Sequence, residues 1–168
     1  NLGLISPLDN GKQIDVEYFA NYAERNLDLF SLIKFLKSPQ KKMFNSASFE
    51  DFKIEKSKPI AIAEDKIFHF QYPETKEFLS EVGIPLISWS IYDDEEIPNE
   101  ASSLIIPGGF PEKYAEHISN SKKSLNSLRK FRENGFIYAE CGGMMILGDF
   151  IKDENGNNHK MSGILPFR

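Results

Sequence analysis

Residues 136–147 read Phe-Ile-Tyr-Ala-Glu-Cys-Gly-Gly-Met-Met-Ile-Leu, and no other stretch restricts the fold of this chain as tightly. A short apolar strand runs into the only cysteine, then two glycines, then apolar residues suited to a helix, with no polar linker between. The spacing predicts a strand-to-helix elbow with the Cys141 thiol at its tip. A nucleophile on such a turn needs small residues two positions before and after it, because the backbone is tight and the side chain must stand clear of the sheet. Ala139 and Gly143 supply them. A helix beginning near Gly142 would aim its free N–H groups and positive end at the sulfur, favouring the thiolate, and the same groups could stabilise an oxyanion. The alternative is a buried cysteine packed as a small hydrophobe.

The elbow implies a sheet, and the residues before it supply one. Ile60–Ala63, Pro85–Ser90, Ser103–Ile106 and the segment leading to Cys141 are short apolar runs. Helical patterns separate them: from Tyr72 to Val82 with Gly83 as cap, from Pro111 to about Ile118, and from Ser121 to Asn134 with Gly135 as stop. Strands alternating with helices indicate an α/β fold whose mostly parallel sheet is flanked by helices. Ligands in such sheets bind outside the carboxyl ends of the strands, where both Gly108-Gly109 and Cys141 fall. The tail reads as a hairpin turning at Asn155-Gly156. The acidic run Asp93–Glu96 reads as a solvated loop, with cation binding as the other possibility.

The first 37 residues follow a different pattern. Asn1–Pro7 resembles a strand end and loop, Asp9-Asn10-Gly11 marks a turn, and helical spacing covers Ile14 to about Arg25 and again Asp28 to Leu36 before Pro39. Residues 38–57 are polar, mixed in charge and without period, and read as an interdomain linker rather than a third ordered element. The expected organisation is therefore 1–37, a linker 38–57, and an α/β domain from 58 to 168. The chain has no initiator Met and stops just after an apolar run, which suggests a piece of a longer protein.

A net charge of −5 gives no sign of nucleic acid or an anionic membrane as partner. One cysteine excludes an internal disulfide, no apolar run approaches membrane-spanning length, and a reducing cytoplasmic compartment fits both. Zinc-ligand spacing and a phosphate loop of the GxxxxGK[ST] type are absent. A cysteine nucleophile usually needs a base, and the sequence offers three histidines. His69, between two phenylalanines, suits packing or a backbone bond. His117 sits on an amphipathic helix with a solvent-facing position, and His159 lies on a hairpin arm with no evident orienting carboxylate. None is a convincing base.

Residues 138–148, Tyr-Ala-Glu-Cys-Gly-Gly-Met-Met-Ile-Leu-Gly, resemble the nucleophile segment of the class I glutamine amidotransferase domain in the cobyrinic acid a,c-diamide synthase family. Ile106–Glu112 is similar to that family's oxyanion loop, Ile62–Glu74 to its opening strand and loop, and His159–Pro166 to its later hairpin. Leu2–Pro7 and Arg25–Leu29 look like the tail of a preceding ATP-binding domain. The resemblance implies a flavodoxin-like glutaminase domain, truncated at its C-terminus, in a two-domain ligase. Ammonia from glutamine would pass to a synthetase domain that uses Mg-ATP to activate the a and c carboxylates of cobyrinic acid. It implies Cys141 as nucleophile, Gly109 and Gly142 as oxyanion N–H donors and Gly108 as a substrate contact. It also implies that the ATP-binding core precedes Asn1, that the catalytic histidine lies beyond Arg168, and that these 168 residues alone are inactive. Cobyric acid synthase or another tetrapyrrole amidotransferase shares the architecture. A non-catalytic binding module on the same scaffold stands as the alternative of a different class.

Overall fold

The computed structural model describes residues 15–36, 54 and 57–168, divided between two compact units. Expectations for Asn1–Pro7, the Asp9–Gly11 turn and most of 38–57 lie outside the described residues. In the first unit, helices α1 (Val16–Asn26) and α2 (Leu29–Phe35) each start at an aspartate. Asp15 accepts from the Tyr18 N–H at 2.8 Å and Asp28 from the Ser31 N–H at 3.0 Å. Each bond satisfies one of the donors that a helix start leaves without a carbonyl.

The second unit is built on four parallel strands, β1 (Ile60–Ala63), β2 (Leu86–Trp89), β3 (Ser103–Ile106) and β4 (Phe136–Ala139), in the order β2-β1-β3-β4. Helix α3 (Pro73–Glu81) connects β1 to β2. A 3-10 turn (Pro111–Tyr114), α4 (Ala115–Asn120) and α5 (Lys122–Phe131) connect β3 to β4. Strands in a helix-covered parallel sheet are apolar on both faces, and Ala61, Ala63, Leu104 and Ile106 are fully buried accordingly. The core continues through Phe68, Trp89, Ile118, Leu128, Ile146 and Met161. Among the described residues no helix is long and apolar enough to cross a membrane.

The punctuation follows local chemistry. Gly83 takes φ +86° after α3, letting its own N–H reach Ser80 O and the Ile84 N–H reach Leu79 O, the paired bonds that close a helix when the next residue adopts a left-handed conformation. Ile54 N–H and Ser57 Oγ dock on the same cap, donating to the carbonyls of Val82 and Gly83 at 2.9 and 3.0 Å. The acidic run is the solvated loop expected for it, with Asp93, Glu95 and Glu96 exposed, and three of its carboxylates also bond to the chain. Asp93 accepts from Ser90 Oγ at 2.6 Å, and Glu95 accepts from the Ser90 N–H at 3.0 Å. Asp94 accepts from the Ser124 N–H in the first turn of α5 at 3.0 Å, where a helix start favours an anion. These carboxylates bind the chain itself.

Strands β5 (Phe150–Lys152) and β6 (Asn158–Lys160) form the expected hairpin, with Gly156 at φ +86°. Here a second expectation is corrected, since His159 does have a carboxylate partner. Its Nε2 lies 2.9 Å from Asp153 Oδ2, and the other Asp153 oxygen accepts from the Asn155 and Asn157 N–H groups. The turn folds Asp153 back across six residues, a pairing that linear spacing hides. His159, ahead of the Asn157 and Asn155 donors, holds the Asp153 carboxyl down from its usual 3.8 to about 2. A carboxyl depressed on folding contributes stability above its unfolded value and loses it as pH falls through the folded one. Asp153→Asn should therefore melt below the parent protein at pH 6, with the gap closing progressively between about pH 5 and 1; melting curves across that range check it, and a gap as large at pH 2 as at pH 6 would rule out the ionised tie.

Candidate functional site

Strand β4 does not stop cleanly at Ala139. The Glu140 N–H donates to Ile106 O at 3.1 Å, carrying the pairing with β3 one step further, and Cys141 then turns the chain at φ +48°, ψ −120°. A residue with a Cβ held at positive φ costs about 1–3 kcal/mol and persists only where its surroundings over-determine it. Two bonds close the turn: Gly143 N–H to Glu140 O at 2.8 Å and Met144 N–H to Cys141 O at 3.1 Å. Both glycines are compelled by close packing. A Cβ on Gly143 would fall 2.2 Å from Ile106 O, and one on Gly142 would fall 2.6 Å from Gly109 O.

The helix expected after the elbow is a single turn, α6 (Gly142–Met145). Past it the chain winds on as tighter turns, with the Leu147 and Gly148 N–H groups bonding to Met144 O and Met145 O and the Asp149 N–H to Phe167 O, while Ile146 and Leu147 are buried in the core. One turn aligns too few peptide dipoles for a macrodipole, so what it offers the sulfur is individual N–H groups. Among the described residues no carbonyl accepts from the N–H of Gly109 or Gly142.

Cys141 is exposed, which removes the alternative of a packed core cysteine. It borders a crevice of about 530 Å³ together with Gly108, Glu140 and the aromatic-rich loop His69–Tyr72. The crevice opens at the carboxyl edge of the sheet, beside the boundary between β1 and β3 where the strand order reverses, which is where such sheets bind ligands. Gly108 lies between its walls: a Cβ there would meet Phe70 Cβ at 3.3 Å and Cys141 Cβ at 3.5 Å. A smaller, more polar cavity between residues 96–101 and the end of α5 sits at the opposite edge of the sheet, away from Cys141.

The structure thus brings Cys141, Gly108, Gly109 and Gly142 together, and of the three histidines it places His69 at the crevice and holds His117 and His159 elsewhere. His117 is exposed, as expected, with its Nε2 2.7 Å from Tyr92 O and its ring stacked on the Tyr92 ring at 4.1 Å. His159 is held by Asp153. His69, expected to pack, does contact Phe70 and Phe110 with ring centroids 4.6 and 5.7 Å away, yet it also lines the Cys141 crevice. Spacing along the chain missed this because the loop after β1 folds back, pairing Phe70 with Gly108. Its organising residue, Asp65, was also missed. It accepts from the Ile67, Phe68 and Tyr92 N–H groups at 2.8, 3.1 and 3.0 Å. An aspartate two residues past the end of a strand, at the start of the turn, was the available signal.

A parallel α/β sheet carrying an exposed thiol on a strained elbow, above a glycine-rich loop, defines the class of nucleophile-elbow domains. Within that class, residues 59–168 match the CobB/CobQ-like glutamine amidotransferase domain, and the chain belongs to that family. It is similar to a cobyrinate a,c-diamide synthase of Caldanaerobacter subterraneus subsp. tengcongensis, 36% identical over 99% of this chain and 37% of the relative. The protein of the same name from Picrophilus torridus is 34% identical over 98% and 37%. That from Fusobacterium nucleatum is 41% identical over 65% and 24%. The chain therefore spans little more than a third of the length of these curated relatives.

Proposed function

We propose that this chain is the glutamine-hydrolysing part of a longer amide ligase of cobalamin biosynthesis, with Cys141 as its nucleophile and the a and c carboxylates of cobyrinic acid as the acceptors. The observation that carries the reading is the exposed Cys141 at φ +48°, which borders a crevice with Gly108, next to Gly109 and Gly142, whose N–H groups meet no carbonyl among the described residues. The acceptor rests on the names of the relatives. Sγ attacks the γ-carboxamide carbon, and the carbonyl oxygen becomes an oxyanion facing the Gly109 and Gly142 N–H groups. The C–N bond breaks as nitrogen takes up a proton, releasing ammonia and leaving a thioester. Water then adds to the thioester carbon and the C–S bond breaks, giving glutamate and the restored thiol. A reducing cytoplasm suits a lone catalytic thiol.

Mg-ATP belongs, in this reading, to the part of the longer protein outside these residues. Among the described residues no group of three or more His, Cys, Asp or Glu is placed to hold a metal ion, and no step is routed through Mg-ATP. The general base is assigned to a histidine of that outside part as well. A second reading makes His69 the base, because it lines the same crevice. His69→Ala in the full-length protein should leave glutamine hydrolysis within about threefold of wild type; a fall of about 10²–10⁴ would transfer the role to His69.

The test of the nucleophile is covalent capture by a diazo-ketone analogue of glutamine, read by intact mass on the full-length protein beside Cys141→Ala. One adduct per chain, absent from the variant, is expected. No adduct, or an adduct that survives the substitution, overturns the assignment and favours a binding module on the same scaffold.

A further inference from the structure

We infer that Asp65 is a positioning residue for the glutaminase centre, acting through the loop that fixes the Gly109 peptide. This inference rests on the reading of Cys141 and Gly109 given above. Asp65 lies just beyond the end of β1, and its side chain is the acceptor on which the following loop is built. One oxygen takes the Ile67 and Phe68 N–H groups at 2.8 and 3.1 Å, and the other takes the Tyr92 N–H at 3.0 Å. Three backbone donors on one carboxylate set the directions of successive peptides, because an ionised acceptor binds N–H groups more strongly than a neutral one. Gln71 closes the loop from its far end, its Nε2 donating to Ala63 O at 2.9 Å and Phe68 O at 3.1 Å.

The loop held this way grips the glycine segment from both sides. The Phe110 N–H donates to Ile67 O at 3.2 Å, and the Phe70 N–H donates to Gly108 O at 3.1 Å. Gly109 lies between those two bonds with no slack, since a Cβ on it would fall 1.8 Å from Ile67 O. The Gly108–Gly109 peptide is held through Gly108 O and the Gly109–Phe110 peptide through the Phe110 N–H, and the Gly109 N–H is left without a carbonyl among the described residues. That N–H shares its peptide with Gly108 O, so its direction is set by the Phe70 N–H, while Ile67 O fixes the next peptide through Phe110; Asp65, bonded to the Ile67 and Phe68 N–H groups, anchors the loop that supplies both contacts. Catalytic donors act only when aimed at the place where charge develops, and a misplacement of about 1 Å is worth about 10²-fold in rate.

The test measures glutamine hydrolysis and, separately, alkylation of Cys141 by iodoacetamide, which needs an accessible sulfur but no oxyanion donor, on full-length wild type, Asp65→Ala and Asp65→Asn. For Asp65→Ala the expected result is a kcat about 10²-fold lower, with KM and the iodoacetamide rate within about twofold. Asn keeps an acceptor for Ile67 and Phe68 and should recover about tenfold of that loss. A kcat for Asp65→Ala within about threefold of wild type overturns the inference, and so does a parallel fall in iodoacetamide rate, which would mean the whole elbow has collapsed. If Asp65→Ala does not fold, Asp65→Asn carries the test: a kcat about tenfold below wild type at unchanged KM supports the inference, and an unchanged kcat overturns it. A wild type that neither hydrolyses glutamine nor is captured at Cys141 fails the underlying reading instead, which separates the two.

Discussion

Cys141→Ala is expected to abolish glutamine-dependent amidation by the full-length protein, lowering it by about 10⁴-fold or more, while amidation supplied with ammonium salts stays within a few-fold of wild type. The argument is chemical and structural together. Removing Sγ deletes the only atom able to form the thioester, whereas ammonia added from solution bypasses that step. Alanine keeps the Cβ that the elbow already accommodates at φ +48°, and an exposed sulfur leaves no cavity behind. The elbow bonds from Gly143 and Met144 involve backbone atoms alone and survive the change. Comparing the two nitrogen sources at equal protein concentration checks it. Glutamine-supported turnover above about 1% of wild type would remove Cys141 from the chemistry, and equal loss with both sources would mean that the variant is damaged beyond the site.

The elements that could be read from the sequence are those whose signals are local. Four strands announce themselves as short apolar runs, Gly83 and Asn155-Gly156 mark their turns through the need for positive φ, and Asp15 and Asp28 stand where helices begin. The elbow is legible for the same reason, since Cys141, Gly142 and Gly143 are adjacent in the chain. What escaped is whatever depends on residues brought together by the fold. Asp94 caps a helix thirty positions away. Asp153 meets His159 only because the hairpin turns, and His69 enters the crevice only because Phe70 pairs with Gly108. The helix after the elbow begins at Gly142 as expected, but its length was not legible for a related reason. Met-Met-Ile-Leu suits a helix by composition, but burial of Ile146 and Leu147 in the core decides where it ends. Propensity is a weak prior that tertiary packing overrides.

The glycines around the site permit a sharper prediction, because they differ in what confines them. Gly156 needs its positive φ but has open space, with nothing within 4 Å of an added Cβ; Gly156→Ala should cost only the backbone term, about 1 kcal/mol. Gly143 is the opposite case. Its φ is ordinary, but a Cβ would fall 2.2 Å from Ile106 O and 2.6 Å from Pro107 O. Both are backbone atoms at the end of β3, held by pairing with β1 and β4, and neither can rotate away as a side chain would. Gly143→Ala should therefore destabilise by about 3 kcal/mol. For a domain of this size that lowers the melting temperature by about 6–12 °C. It should also reduce capture of Cys141 by the glutamine analogue more than alkylation by iodoacetamide, since pushing Pro107 displaces Gly108 and Gly109 while leaving the sulfur exposed. Calorimetry on the two alanine variants separates conformational strain from contact. Equal, small shifts for both would mean that the elbow yields to the added methyl, and that Gly143 is not what holds the thiol against the end of β3.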